Sequence, residues 1–173
     1  MKSTTPHLST MGRPAEQEPL QGRYQANAGD PALKRSFRGH KEKITAVAFN
    51  PSLKQLVSTS TEGLMMVWNF KPQLRPFRFT GHKGAVHDVC VNPAGSLIVT
   101  SGSDNTIRIW KNHVDAQHTT IKSHSAPVRS ISLSADGTYL LSGSDDRTIK
   151  VWTLASRKFQ FSIKAHTNWV RSS

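Results

Sequence analysis

Serine or threonine, histidine and acidic residues recur together in this chain. Side chains of these types can act together as a nucleophile, a general base and a carboxylate that orients the base. One Ser–His–Asp set can perform acyl transfer, with serine as nucleophile, histidine as base and the carboxylate as orienting group. Three sets occur, each ending in a tryptophan: His40, Ser58, Glu62 and Trp68; His82, Thr100, Asp104 and Trp110; His124, Ser142, Asp146 and Trp152. An enzyme needs one triad, and no G-x-S-x-G motif accompanies any of the three. The sets therefore predict a structural role and no catalytic residue.

The spacing of these sets is constant. His40, His82, His124 and His166 are each 42 residues apart, as are the three tryptophans, and each His-to-Trp span is 28 residues. A fixed period of this length indicates a repeated supersecondary unit. Within a unit, tryptophan can donate to the hydroxyl, the hydroxyl to histidine and histidine to the carboxylate, which gives buried polar groups partners.

Each repeat is predicted to form four short strands, because runs rich in Val, Ile, Leu, Thr and Phe alternate with turn residues. The predicted strands are Ile44–Asn50, Gln55–Ser60, Leu64–Asn69, Leu74–Thr80, Val86–Asn92, Leu97–Ser101, Thr106–Lys111, Gln117–Lys122, Val128–Ser134, Tyr139–Gly143, Thr148–Thr153 and Lys158–Lys164. Apolar residues stand four, seven and nine positions after each histidine, as in Ile44, Val47 and Phe49. We expect these residues in the core, and their uneven steps predict a bulge in the first strand of each repeat.

The period and the polar sets resemble WD40 repeats, although tryptophan is followed by Asn69, Lys111 and Thr153 rather than by aspartate. The resemblance implies an all-β fold. We expect a partial β-propeller of about three four-stranded antiparallel blades, an orphan N-terminal strand at Leu33–Arg38 and the start of a fourth blade. The repeats span about 37–78, 79–120 and 121–162, with an incomplete repeat at 163–173, inside a propeller region of 33–173. Residues 1–32 are expected to form a disordered leader. Glu62, one methylene longer than aspartate, is expected to loosen the first polar set.

Three stretches are more specific than a generic WD40 repeat. They are Trp68–Pro72 followed by Arg75, Phe77–Phe79 and Gly81–Lys83, then Lys122–Ser130, and finally His166–Arg171. From about residue 33 to 173 the chain resembles the centriolar WD-repeat family called proteome of centriole protein one. This resemblance implies a scaffold that stabilises centrioles and basal bodies at the microtubule wall. It also implies a seven-bladed propeller and a C-terminal helical motif, neither of which this chain completes.

Composition narrows the classes of function. The formal net charge is +12, and residues 1–32 contain equal numbers of basic and acidic residues, so the excess lies in the repeats. Such a surface favours an anionic partner. The single cysteine, Cys90, is expected to be a packed thiol in a reducing compartment. The sequence predicts no signal peptide, membrane span, metal, cofactor or small-molecule substrate, and therefore a cytoplasmic protein; the resemblance to the centriolar family implies the cytoskeleton, at centrioles and basal bodies.

Basic residues mark a candidate partner surface. Arg38, Lys122 and Lys164 each lie two residues before a repeat histidine, where an outer strand would reach the rim. Lys43, Arg129, Trp169 and Arg171 lie beside the first strand of a repeat. The simplest alternative is a solvated face whose lysines discourage edge pairing. Three functions stay open: a centriolar scaffold whose protein partners include tubulin, a module that binds RNA or ribonucleoprotein, and a substrate adaptor for ubiquitin ligation.

Overall fold

The computed structural model describes residues 36–71, 73–113, 117–164 and 167–171. Within them, twelve strands form three four-stranded antiparallel sheets without a helix, which confirms the predicted fold class. Blade one contains β1 (Ile44–Phe49), β2 (Gln55–Ser60), β3 (Leu64–Asn69) and β4 (Phe77–Thr80). Blade two contains β5 (Val86–Val91), β6 (Leu97–Gly102), β7 (Thr106–Lys111) and β8 (His118–Lys122). Blade three contains β9 (Val128–Leu133), β10 (Tyr139–Ser144), β11 (Ile149–Thr153) and β12 (Lys158–Ile163).

Strands in each blade pair in chain order, as short hairpin connections favour. The first strand of every blade carries a register shift at its start, between Ile44 and Ala46, between Val86 and Asp88, and opposite Gly143 and Ser144. The predicted bulge is thereby confirmed. One residue per blade is displaced from the ladder at this point: Thr45, His87 and Arg129.

Two apolar cores lie between consecutive blades. Between blades one and two, Val57, Met65, Val67 and Phe79 pack against Val89, Ile98 and Trp110. Between blades two and three, Val99, Ile107 and Ile109 pack against Val128, Ile131, Leu140, Trp152 and Leu154. Each sheet therefore buries a face against its neighbour, so the repeats stabilise one another.

The prediction of a buried first strand is wrong for blade one. Ile44, Val47 and Phe49 are 57%, 62% and 64% exposed, whereas Val89 is only 6% exposed. In blades two and three the equivalent side chains contact the preceding blade. Among the described residues, no sheet precedes blade one. Its face keeps a smaller cluster of Leu64, Met66 and Trp68, with Phe37 and Leu56 packed against it.

Most predicted strand limits agree to within one residue, and two predicted strands differ by more. β4 starts at Phe77 rather than Leu74, because Pro76 has no N–H to donate to a ladder. Ser36–Arg38, the described part of the predicted orphan strand, is not in a strand. The leader at 1–32 and His166 lie outside the described residues. Among the described residues, no helix has the length and apolar character needed to cross a membrane.

A short segment follows blade three. Val170 is 4% exposed, and its N–H donates to the Ser144 carbonyl at 3.1 Å. Its side chain approaches Gly143 so closely that a Cβ there would lie 2.7 Å from Val170 Cγ1. Val170 thus packs on blade three where the expected fourth repeat begins.

Candidate interaction surfaces

The structure brings each predicted polar set together. In blade three, His124 Nδ1 lies 2.8 Å from Asp146, His124 Nε2 lies 2.8 Å from Ser142 Oγ, and Trp152 Nε1 donates to that oxygen at 3.0 Å. In blade two, His82 Nδ1 lies 3.0 Å from Asp104, and Thr100 lies 2.8 Å from both His82 Nε2 and Trp110 Nε1. The antiparallel ladder places the hydroxyl strand beside the tryptophan strand, and the carboxylate follows in the connecting turn.

Electrostatics fix the direction of these hydrogen bonds. Burial lowers the pKa of His82 and His124, against the opposing effect of the nearby carboxylates, so both imidazoles are neutral at pH 7. Burial would raise the pKa of Asp104 and Asp146, but hydrogen bonds outweigh it and bring both to about 2. Nδ1–H therefore donates to a carboxylate, and Nε2 accepts from the hydroxyl. Every polar atom in this path has a partner.

The hydroxyl groups of the sets are poorly placed for nucleophilic catalysis. Thr100 and Ser142 are 0% exposed and Ser58 is 2% exposed. Each hydroxyl already accepts from an indole and donates to an imidazole. A substrate carbonyl would have to enter the interior to reach it. The arrangement ties a loop to two strands instead of presenting a nucleophile.

Glu62 changes the first set in a way that sequence did not anticipate. His40 Nδ1 lies 3.0 Å from Glu62 and Nε2 lies 2.7 Å from Ser58, so the longer side chain does not lengthen the contacts. The difference lies two residues further on. Asp104 and Asp146 accept from threonine hydroxyls, Thr106 and Thr148, both at 2.7 Å. Blade one has Leu64 there, so its carboxylate lacks this donor.

The rim residues of the candidate surface are solvent-exposed. Arg38 precedes blade one, Lys122 ends β8 and Lys164 follows β12, and all three side chains are exposed. Each lies two residues before a repeat histidine, and Thr80 of β4 occupies the same position of its repeat. Lys122 and Lys164 therefore lie at the ends of the outer strands of blades two and three, whereas Arg38 lies outside the described strands.

The other candidate residues form a separate group near the first strands. Lys43 and Arg171 are exposed, and Trp169 is 53% exposed with the Arg171 guanidinium carbon 5.4 Å from its ring centroid. Arg129 differs, because its Nη2 and Nε donate to Asp145 at 2.6 and 2.9 Å. Its Nη1 also lies 3.3 Å from His87 Nε2. The Arg129 guanidinium is therefore paired with a carboxylate of the same chain, which leaves less of its charge for a partner.

Asp88 has a role that the sequence analysis missed. Its carboxylate accepts from the N–H of Val89 at 2.8 Å and from the N–H of Ile131 at 2.9 Å, which links blades two and three. Burial raises its pKa, although these hydrogen bonds oppose the effect. Its repeat equivalents are Ala46 and Ser130, so no conserved polar pattern within the chain marked it.

Metal and thiol chemistry find little support in the described residues. No group of three or more His, Cys, Asp or Glu side chains there is arranged to hold a metal ion. Cys90 packs against the core between blades two and three, and burial raises the pKa of its thiol. A thiol with a raised pKa is a weak nucleophile.

Comparison with known proteins agrees with this architecture. The family model described as WD domain, G-beta repeat matches residues 32–69, 74–111 and 116–153, which together exceed half of the chain. Curated relatives include POC1 centriolar protein homolog A of Xenopus tropicalis and POC1 centriolar protein homolog B of Xenopus laevis. Each is 52% identical over 50 residues, which are 29% of this chain and 11% of the relative. The match thus spans about a tenth of the length of these relatives.

Solved structures are similar at the level of the fold. The structure entitled "Structure of U3-55K" aligns with a TM-score of 0.73 at 23% identity, covering 80% of this chain and 44% of that chain. "Crystal structure of RRP9 WD40 repeats" aligns with the same score and identity, covering 80% and 43%. Together with the repeat matches, these findings show that the chain belongs to the family of WD40-repeat proteins.

Proposed function

We propose that this chain is a non-catalytic scaffold for protein–protein interaction that acts at centrioles and basal bodies. The observation that carries the proposal is the 52% identity over 50 residues to POC1 centriolar protein homologs. The buried hydroxyls of the polar sets fit a scaffold better than an enzyme. The relatives are much longer than the matched stretch, so the centriolar role is carried over as a proposal.

We propose tubulin at the microtubule wall as the partner; the resemblance to centriolar proteins selects it, since the positive charge alone fits any acidic partner. The net charge of +12 suits an acidic surface. Arg38, Lys122 and Lys164 are exposed and lie at equivalent outer positions of the repeats. We propose that they form a cationic rim that contacts acidic protein surfaces, and the localisation is then cytoskeletal.

The test is co-sedimentation with microtubules and localisation to centrioles. Arg38→Glu, Lys122→Glu and Lys164→Glu combined should reduce both, and binding of the unchanged chain should weaken as salt rises. A control with the same change in charge combines Lys111→Glu, Arg157→Glu and Lys158→Glu at other exposed positions. An equal loss of microtubule binding in both variants would show that binding depends on net charge and not on the position of the rim cations. No loss in the rim variant would contradict the proposal.

RNA binding is the second candidate, which the same positive charge favours. Phe159 and Phe161 on β12 precede the rim cation Lys164 and are 50% and 54% exposed, which suits base stacking. Binding to single-stranded RNA at physiological salt, without binding to microtubules, would favour this candidate over the scaffold.

A further inference from the structure

A cavity of about 520 Å³ opens at the end of blade one, between the β1–β2 turn and the β3–β4 loop. It is lined by Ser52, Leu53, Lys54, Gln55, Asn69, Phe70, Lys71 and Leu74. This volume lies in the range of ligand sites, roughly 300–1,000 Å³. The cavity lining adjoins the first polar set in the chain, because Asn69 follows Trp68, but it contains none of the three rim cations.

Leu53 is the unusual residue of this cavity. Its φ is +54°, in the left-handed region that leucine rarely adopts, and its side chain is 70% exposed. The equivalent residues in the other blades are Gly95 and Gly137, with φ of +71° and +72°. Glycine occupies this conformation without steric cost. Blade one thus keeps a strained leucine in water, which neither folding nor solubility explains, and such strain is a reason to look for function.

The residues at the mouth of the cavity differ from those at the equivalent positions of the other blades. Blade one has Leu53, Lys54, Phe70 and Lys71, whereas blade two has Gly95, Ser96, Asn112 and His113 at the same positions. Phe70 is 38% exposed and Leu74 is 50% exposed, while Lys54 and Lys71 are also exposed. None of the described lining residues is acidic. Blade three has Gly137, Thr138, Leu154 and Ala155 at these positions, so among the three described blades only blade one combines large apolar side chains with two lysines.

The walls and floor of the cavity are held in place. The Phe70 N–H donates to the Lys54 carbonyl at 3.1 Å, which joins the two loops. In the floor, Gln55 donates to Asn69 at 3.1 Å and accepts from Asn112 of blade two at 2.9 Å. The Phe70 ring packs 6.3 Å from Phe49 and 6.1 Å from Phe37, centroid to centroid. A site with fixed walls loses little entropy when it binds.

We propose that this cavity is a docking site for a short acidic segment of a partner protein that carries a large apolar side chain. The apolar side chain packs on Leu53, Phe70 and Leu74, and flanking carboxylates pair with Lys54 and Lys71. The apolar lining gives affinity, and the two cations select against neutral or basic segments. This site is separate from the cationic rim and stands without the centriolar role.

The test measures binding of a fluorescein-labelled peptide by anisotropy, using the 173-residue chain. The probe carries a central Leu-Phe pair flanked by glutamates on both sides. Leu53→Gly should weaken probe binding at least about tenfold, as expected for an anchor residue, while raising the thermal midpoint because the strain is relieved. Lys54→Glu with Lys71→Glu should weaken binding similarly without raising the midpoint.

Two controls separate this site from other surfaces. A peptide with serines in place of the Leu-Phe pair should bind at least about tenfold more weakly, as hot-spot energetics predict. Phe161→Ser removes a side chain that is 54% exposed on blade three, and it should leave binding unchanged. The proposal is overturned if the probe shows no saturable binding, if Leu53→Gly binds as well as the unchanged chain, or if Phe161→Ser abolishes binding. Binding of phosphatidylserine vesicles that depends on Leu53, with no peptide binding, would overturn the peptide as occupant.

Discussion

Asp88 Oδ2 accepts a hydrogen bond from the backbone N–H of Ile131 at 2.9 Å, across the boundary between blades two and three. The other carboxylate oxygen accepts from Val89 in its own strand at 2.8 Å. One side chain therefore satisfies a backbone donor in each of two neighbouring sheets. Apolar packing holds these sheets together, and Asp88 adds a directional link that fixes their relative register.

The first prediction concerns this link. Asp88→Ala should lower the free energy of unfolding by about 1–3 kcal/mol, because the Ile131 N–H would be left buried without its acceptor. Denaturant unfolding followed by tryptophan fluorescence measures the change. Asp88→Asn is the matched control, since it keeps an oxygen that can accept from Ile131, and its loss should be smaller. Equal stability of the alanine variant and the unchanged chain would contradict the role of Asp88.

The second prediction concerns pH. His82 and His124 have lowered pKa values, so the stability they contribute is complete above their unfolded value of 6.5 and falls as pH drops through the folded pKa. Asp104 and Asp146, with a pKa of about 2, contribute stability above 3.8 that is lost toward pH 2. The urea midpoint should therefore decline in two stages on acidification.

A variant separates the two stages. His124→Gln removes one titrating imidazole, so its urea midpoint should decline less just below pH 6.5 than that of the unchanged chain. The stage near pH 3 should remain, because Asp104 and its partners are intact. A midpoint that rises as pH falls below 6.5 would contradict the assignment of neutral imidazoles.

The third prediction concerns the uncovered face of blade one. Val47 and Phe49 are more than 60% exposed, and contiguous exposed apolar surface promotes association. Val47→Ser with Phe49→Ser should lower the apparent molecular mass measured by light scattering at high protein concentration. Tyr139→Ser, at a side chain that is 46% exposed in blade three, is the control and should change it less. Unchanged association in the double variant would show that this face takes no part.

Local patterns in the sequence predicted the strands, the bulges and the polar sets, because each depends on residues within one repeat. Ser142, Asp146 and Trp152 meet through a single ladder whose register the spacing already defines. Contacts that depend on neighbouring sheets were harder to predict. The exposure of Phe49, the Asp88 link and the pairing of Arg129 with Asp145 all depend on what lies beside a strand in space. The glycines at Gly95 and Gly137 mark the turn conformation of Leu53 in the repeats, but the cavity beside it depends on two loops that meet in space.

The central claim is that each repeated Ser/Thr–His–acid–Trp set stabilises its own blade by tying a loop to two strands. The most direct measurement is the free energy of unfolding of Asp146→Ala beside that of Glu62→Ala. Asp146→Ala should lose about 1–3 kcal/mol, because His124 and Thr148 lose a shared buried acceptor. Glu62→Ala should lose less, because Leu64 replaces the threonine donor and the Glu62 side chain is 17% exposed against 10% for Asp146. Unchanged stability of Asp146→Ala would contradict the account.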